Sequence, residues 1–220
     1  KLLLIGSIDA DHVDDAVKKL TTLQKSKAGP FDACFCVGSC SPAIQKHAMP
    51  LPVFIQDCSR LSKDESTGTA VAEKEEDDDE EEELPKGVVK LNTNLFALYG
   101  GDGTNNQQAP LADIWTLTIG KTQMVVASVP PHARLDSDAI KSFQEKLTHV
   151  SYVGCDLLLT SEFPQGIERL LPQLQEGAVV GSFDIADLAL RARARYHVSP
   201  HGMFYSQSNP FRHLKSASST

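Results

Sequence analysis

The sequence predicts an α/β fold that combines a parallel sheet with a second, antiparallel or mixed block of strands, and three observations carry that reading. Two βα-type units open the chain, which argues for parallel strands. Residues 114–119 and 123–128 are alternating runs joined by Gly120-Lys121, the pattern of a hairpin. Asp156-Leu-Leu-Leu-Thr160 is an apolar run that ends in polar residues, so a buried strand delivers Thr160, Ser161 and Glu162 to the carboxyl edge of a sheet, where α/β folds keep their chemistry.

The elements follow in order. Lys1-Leu-Leu-Leu-Ile5 is a strand closed by Gly6-Ser7, and Val13, Ala16, Val17, Leu20 and Leu23 then recur at helical spacing with acids early and lysines late, as the helix dipole favours. Gly29-Pro30 ends that helix. Residues 31–37 form a second buried strand stopped by Gly38-Ser39, and 51–55 a third. Residues 59–90 carry no apolar periodicity and are read as a disordered acidic surface insertion. Order resumes with a strand over 94–99, a polar loop over 100–108 and the hairpin. A helix over 137–150, capped at Ser137 or Asp136, puts Ala139, Ile140, Phe143 and Leu147 inward. Past the strand at 156–160 come a short helix over 167–174 interrupted at Pro172, a helix over 183–193, and closing strands at 196–198 and 203–205.

With 220 residues, 41% hydrophobic and 23% charged, the chain can bury one sizeable core as a single domain. The net charge of −8 is misleading, because residues 73–83 hold ten acids and one lysine and leave the rest at +1. Five cysteines without a CxxC pair, two of them in the apolar Cys34-Phe-Cys36, suit reduced thiols of the cytosol or nucleus. No apolar segment approaches the roughly 20 residues of a membrane-spanning helix. Residues 1–213 are expected to form the domain, and the polar Leu214-Lys-Ser-Ala-Ser-Ser-Thr220 to begin a linker to a missing carboxyl-terminal region.

Leu3-Leu-Ile-Gly-Ser-Ile-Asp-Ala10, Gly29-Pro-Phe-Asp-Ala-Cys-Phe-Cys-Val-Gly-Ser39, Cys155-Asp-Leu-Leu-Leu-Thr-Ser-Glu-Phe-Pro-Gln-Gly-Ile167 and Arg195-Tyr-His197, in this order, resemble the amino-terminal domain of the CwfJ family, splicing-associated relatives of the lariat debranching enzyme. The closing Phe204-Tyr-Ser-Gln-Ser-Asn-Pro-Phe-Arg-His213 resembles that family's exit from the domain. The resemblance implies a calcineurin-like metallophosphoesterase sandwich of two mixed sheets flanked by helices, a nuclear setting, and a role in intron-lariat turnover through binding and aiding the debranching enzyme and spliceosomal proteins.

A dinuclear phosphoesterase needs carboxylates and imidazoles converging on two cations roughly 4 Å apart, which polarise the phosphate and lower the pKa of the attacking water. The family's ancestral signature is GDxH, GD, GNHE or GNHD, a lone His and GHxH, and every position departs from it here. Gly6-Ser7-Ile8-Asp9 has a hydroxyl for the carboxylate and a carboxylate for the imidazole. Gly38-Ser39 again has a hydroxyl, the third motif reads Gln56-Asp57-Cys58, the lone His is Ser161, and Ser199-Pro-His-Gly-Met203 keeps only His201. Asp9, Asp57 and His201 are too few ligands for two metals. The expectation is therefore a pseudoenzyme with a degenerate metal site at Ser7, Asp9, Ser39, Asp57, Ser161 and His201, with no metal, no cofactor and no catalytic residue.

Ser7 and Ser39 also read as caps of the helices after their strands, and a hydroxyl beside helix-start amides could hold phosphate without metal. His197 and His201 read as strand or loop histidines, since Pro200 between them excludes a shared helix. Gly100-Gly-Asp-Gly103 lacks the Lys-Ser/Thr of a phosphate loop and reads as a turn. Arg191, Arg193, Arg195 and Arg212 could contact RNA or a partner, against the plainer reading of a solvated face. The sequence thus points to a monomeric, membrane-free protein-binding module in lariat processing. The competing class is a diverged RNA phosphodiesterase using one cation on Asp9, Asp57 and His201. An α/β-hydrolase nucleophile at Ser161 is disfavoured because no glycine-flanked elbow surrounds it.

Overall fold

Apolar runs that are buried on both faces become strands with a helix layer on one side and a second sheet on the other. The computed structural model describes residues 1–61, 84–100, 111–131, 138–167 and 181–200. In it β1 (Leu2–Ile5), β2 (Ala33–Ser39), β3 (Val53–Asp57), β4 (Val88–Asn92) and β5 (Leu95–Leu98) form one sheet in the order β1-β2-β3-β5-β4, parallel except for β4. A second sheet has the order β6 (Asp113–Ile119), β7 (Thr122–Val129), β8 (Leu157–Thr160), β9 (Tyr196–Val198), antiparallel at β6–β7 and parallel beyond. The fold is α/β with two mixed sheets and few helices.

The period-2 pattern of the strands sorts the core into three layers. Cys34 and Cys36 turn to one side with Val53, Ile55 and Leu95, against Val13 and Leu20 of α1 (Val13–Gln24). Phe35, Val37 and Phe54 turn to the other and meet Trp115, Leu117, Val126, Leu157 and Leu159, so the sheets pack face to face. Phe35, Phe54 and Phe96 sit in register and stack with centroids 5.2 and 5.1 Å apart. On the far side of the second sheet, Ile140, Phe143 and Leu147 of α2 (Asp138–Thr148) and Ile185, Leu188 and Ala192 of α3 (Phe183–Ala192) cover Ala127, Val129 and Leu158.

Most expected elements appear within two residues of their expected bounds. The insertion assigned to 59–90 is too wide. Leu61 is buried, and Val88–Asn92 is β4, paired with β5 across Thr93-Asn94. Two valines and a leucine are too short a run to display a period, and only pairing reveals them as a strand. The acidic run itself, all but the first residue of the helix expected over 167–174, the closing strand over 203–205, the cap of α2 and most of the loop over 100–108 lie outside the described residues. No described helix is long and apolar enough to cross a membrane.

Candidate functional site

Parallel strands bring their carboxyl ends to one edge, and here the edges of the two sheets meet. At the tip of β1, Ile8 forms a parallel bridge with Cys40: its N–H donates to the Ser39 carbonyl at 2.9 Å, and Ser41 N–H donates to the Ile8 carbonyl at 2.9 Å. Ser39 stands opposite Asp57 at the tips of β2 and β3. Gly38 has φ +115°, and a Cβ there would lie 2.5 Å from Ser7 Oγ and 3.5 Å from Pro200 Cβ. That crowding explains the glycine, and it seats the residue after β9 against the loops of the first sheet.

Gln56 ties the same edge together from inside. It shares the inter-sheet face with Phe54, and its Nε2 donates to the Val129 carbonyl of β7 at 3.0 Å. Its Oε1, and Ser128 Oγ on the facing sheet, are buried without a hydrogen-bond partner. Behind β8, Thr160 Oγ1 lies 2.8 Å from the Glu162 carbonyl, 2.7 Å from His197 Nε2 and 2.7 Å from Ser199 Oγ. One hydroxyl proton and two lone pairs satisfy three contacts, so this network fixes the exits of β8 and β9.

The expected site residues divide. Ser7, Ser39 and Asp57 come to the shared edge, with Ser161 at the exit of β8, where its N–H donates to the Val129 carbonyl at 3.3 Å. Asp57 is buried, and its Oδ1 accepts from both the backbone N–H and the hydroxyl of Ser59, at 3.2 and 2.7 Å. Asp9 is exposed in the loop beyond, where its carbonyl accepts from His12 N–H at 3.0 Å. His201 and Arg212 lie outside the described residues. The capping role assigned to Ser7 and Ser39 falls to others: Ser41 caps the 3-10 turn Pro42–Lys46, and the residue before α1 is His12, which makes no side-chain cap. The turn Ala10–His12 intervenes between strand and helix, so Ser7 is too far upstream to cap. The Ile8 and Ser41 amides are spent on the bridge, which leaves them unable to cradle a phosphate.

Arg191, Arg193 and Arg195 are placed elsewhere. They lie at the end of α3 and the start of β9, level with Asp156, about 13 Å along the strand from Thr160. Arg191 pairs with Asp187 at 2.7 Å and Arg195 with Asp156 at 3.5 Å, while Arg193 takes the left-handed cap position of α3.

Beneath the edge lie thiols. Burial pushes Cys34 up to about 12. Cys36, which donates to the Gly6 carbonyl at 3.3 Å, is raised first by its hydrogen bond with Cys40, then by burial and by neighbouring charge that includes Asp57. Such thiols stay protonated and are poor nucleophiles or ligands. Among the described residues no three His, Cys, Asp or Glu side chains form a group that could hold a metal ion.

No family model matches the chain. It is 27% identical over 222 residues to the CWF19-like protein 1 homolog of Caenorhabditis elegans, a match covering 96% of the chain and 37% of that protein. The chain is related to the CWF19-like proteins. It therefore spans little more than a third of the curated CWF19-like relative it matches.

Sequence reasoning missed Gln56 as an inter-sheet tie and the Thr160–His197–Ser199 network. A polar residue in the apolar Val53-Phe-Ile-Gln56 run was the available signal for the first. Nothing local could signal the second, whose members are 37 and 39 residues apart.

Proposed function

We propose that the chain is a non-catalytic metallophosphoesterase-like module of a splicing-associated nuclear protein, assisting intron-lariat RNA debranching by binding protein partners, the lariat debranching enzyme foremost. The observation that carries this reading is the chemistry of the strand tips. Two hard dications need anionic oxygens and imidazoles around them. Ser7 and Ser39 bring neutral hydroxyls instead, and the Asp57 carboxylate is taken up by Ser59 in a local turn. This donor set does not fit a dinuclear centre, so no hydrolytic step is derived through one. The relationship to CWF19-like proteins supports the splicing setting and agrees with the motif order along the chain.

The test is a pull-down of purified debranching enzyme by this chain, with and without the acidic run at residues 73–83, alongside metal analysis and incubation with branched RNA. Capture of the enzyme by chain that carries no stoichiometric manganese, iron or zinc is the expected result. Two equivalents of metal per chain, or cleavage of branched RNA that Asp9→Ala abolishes, would overturn the reading in favour of a phosphodiesterase.

A further inference from the structure

Among the described residues, Gln56 Oε1, Ser128 Oγ and Trp115 Nε1 are buried polar atoms with no hydrogen-bond partner. Gln56 is fully buried, and Ser128 and Trp115 are 1% and 2% exposed. Buried polar atoms are almost always satisfied, because each one left bare costs a desolvation that nothing offsets.

The three side chains share one layer. Trp115 packs between the sheets and stands opposite Val126 of β7, which packs in the same layer. Ser128 follows Val126 by two residues, so it turns into that layer as well, diagonal to Trp115 and within reach of a side chain as long as an indole. Gln56 follows Phe54 by two on β3 and faces them from the other sheet. Its Nε2 donates at 3.0 Å to the carbonyl of Val129, the residue after Ser128, which holds the amide at the Ser128 end of β7. Turning the amide over gives no relief, since Oε1 would then face that carbonyl, an acceptor against an acceptor.

Their chemistry is complementary. The indole N–H is a donor only, the amide oxygen an acceptor only, and the hydroxyl either. They do not bond to one another, so a third body must join them. A water molecule carries two protons and two lone pairs, and buried waters typically make about three hydrogen bonds. Larger ligands are excluded by Phe54, Val126 and Leu159, which fill the same layer. Ions are excluded too, since a cation would meet the indole N–H and an anion the amide oxygen.

We propose that Gln56 Oε1, Ser128 Oγ and Trp115 Nε1 bind one water molecule between the two sheets. The water accepts from the indole N–H, donates to the amide oxygen and takes the Ser128 hydroxyl as its third contact. The sheets are thus joined twice at this end, directly from Gln56 to Val129 and through the water to Trp115 and Ser128. This site is independent of the function proposed above.

The chain has one tryptophan, so its indole N–H gives a single resonance to follow. In the isotope-labelled full chain, water-selected cross-relaxation should connect that resonance and the Gln56 Nε2 protons to a long-lived water, and oxygen-17 relaxation dispersion should count it. Ser128→Ala and Gln56→Met should each remove it from that count. Thr118→Ala, which deletes a hydroxyl on the exposed face of β6, should leave the count unchanged. Trp115→Phe should shorten the residence of the water about tenfold by removing one of its hydrogen bonds. An indole N–H without contact to a long-lived water overturns the proposal, and that measurement on the wild type decides the matter even where a variant does not fold. Counts unchanged in Ser128→Ala and Gln56→Met, or a crystal structure in which Ser128 Oγ bonds directly to Gln56 Oε1, would sink it equally.

Discussion

Gln56 of β3 and Val129 of β7 are joined by a 3.0 Å side-chain hydrogen bond that crosses from one sheet to the other at their common carboxyl edge. The donor is fully buried, and the acceptor is a backbone carbonyl at a strand tip, so the bond positions the two edges relative to one another.

Breaking it should cost stability in proportion to what is left unpaired. Gln56→Leu removes one of the two donors to the Val129 carbonyl, which keeps Ser161 N–H, and also removes the unpartnered Oε1, for a net loss of about 1 kcal/mol. Gln56→Glu places a carboxylate in the same buried space with no donor, and should cost about 3 kcal/mol or more at pH 7. Urea midpoints of the two variants read the difference; equal midpoints would mean that the bond contributes nothing.

Gly38→Ala should destabilise by about 3 kcal/mol, because φ +115° is strained for any side chain and the new methyl would meet Ser7 Oγ. Adding Ser7→Ala should recover about 1 kcal/mol of that and no more, since it clears the contact and leaves the backbone strain. A double-mutant cycle by thermal unfolding measures the split.

Asp57→Ala should lower stability by about 1–2 kcal/mol by removing the acceptor of the Ser59 turn, and Asp57→Asn by less because one amide oxygen remains. Denaturant unfolding of both variants measures the order. A stability gain from Asp57→Ala would indicate a carboxylate held unpaired, as for an absent cation.

Alkaline pH should unfold the chain through its buried acids. Burial pushes Cys34 from 9.0 up to about 12 and Tyr99 from 10.0 up to about 12. The unfolded chain loses those protons first, so the stability they contribute is complete below about pH 9 and disappears as pH climbs toward 12. Urea midpoints between pH 9 and 11 should fall steadily, less steeply in Cys34→Ala. Native-state alkylation at pH 8 should leave the five thiols, all buried, unmodified until denaturant is added.

The strands around Phe35, Phe54 and Leu158 were legible because both their faces are covered, and double coverage writes itself into sequence as a short unbroken apolar run. The helices were legible at Leu20 and Phe143 by their 3.6-residue period. β4 was not, since Val88 and Val89 gain their meaning only from Leu98 and Ala97 across a turn. The strand-tip residues Ser7, Ser39 and Asp57 were legible as a group because each directly follows or ends a strand.

Local composition by itself therefore determined which segments are strands and helices, and which side chains end the parallel strands. It could not determine that Asp57 is consumed by Ser59, that caps fall to Ser41 rather than Ser39, or that the arginines sit at the far end from Thr160. Tertiary structure decided those points, along with the Gln56 tie. Hydrogen bonds of that kind depend on atoms brought together from distant parts of the chain, and no periodicity within one segment encodes them.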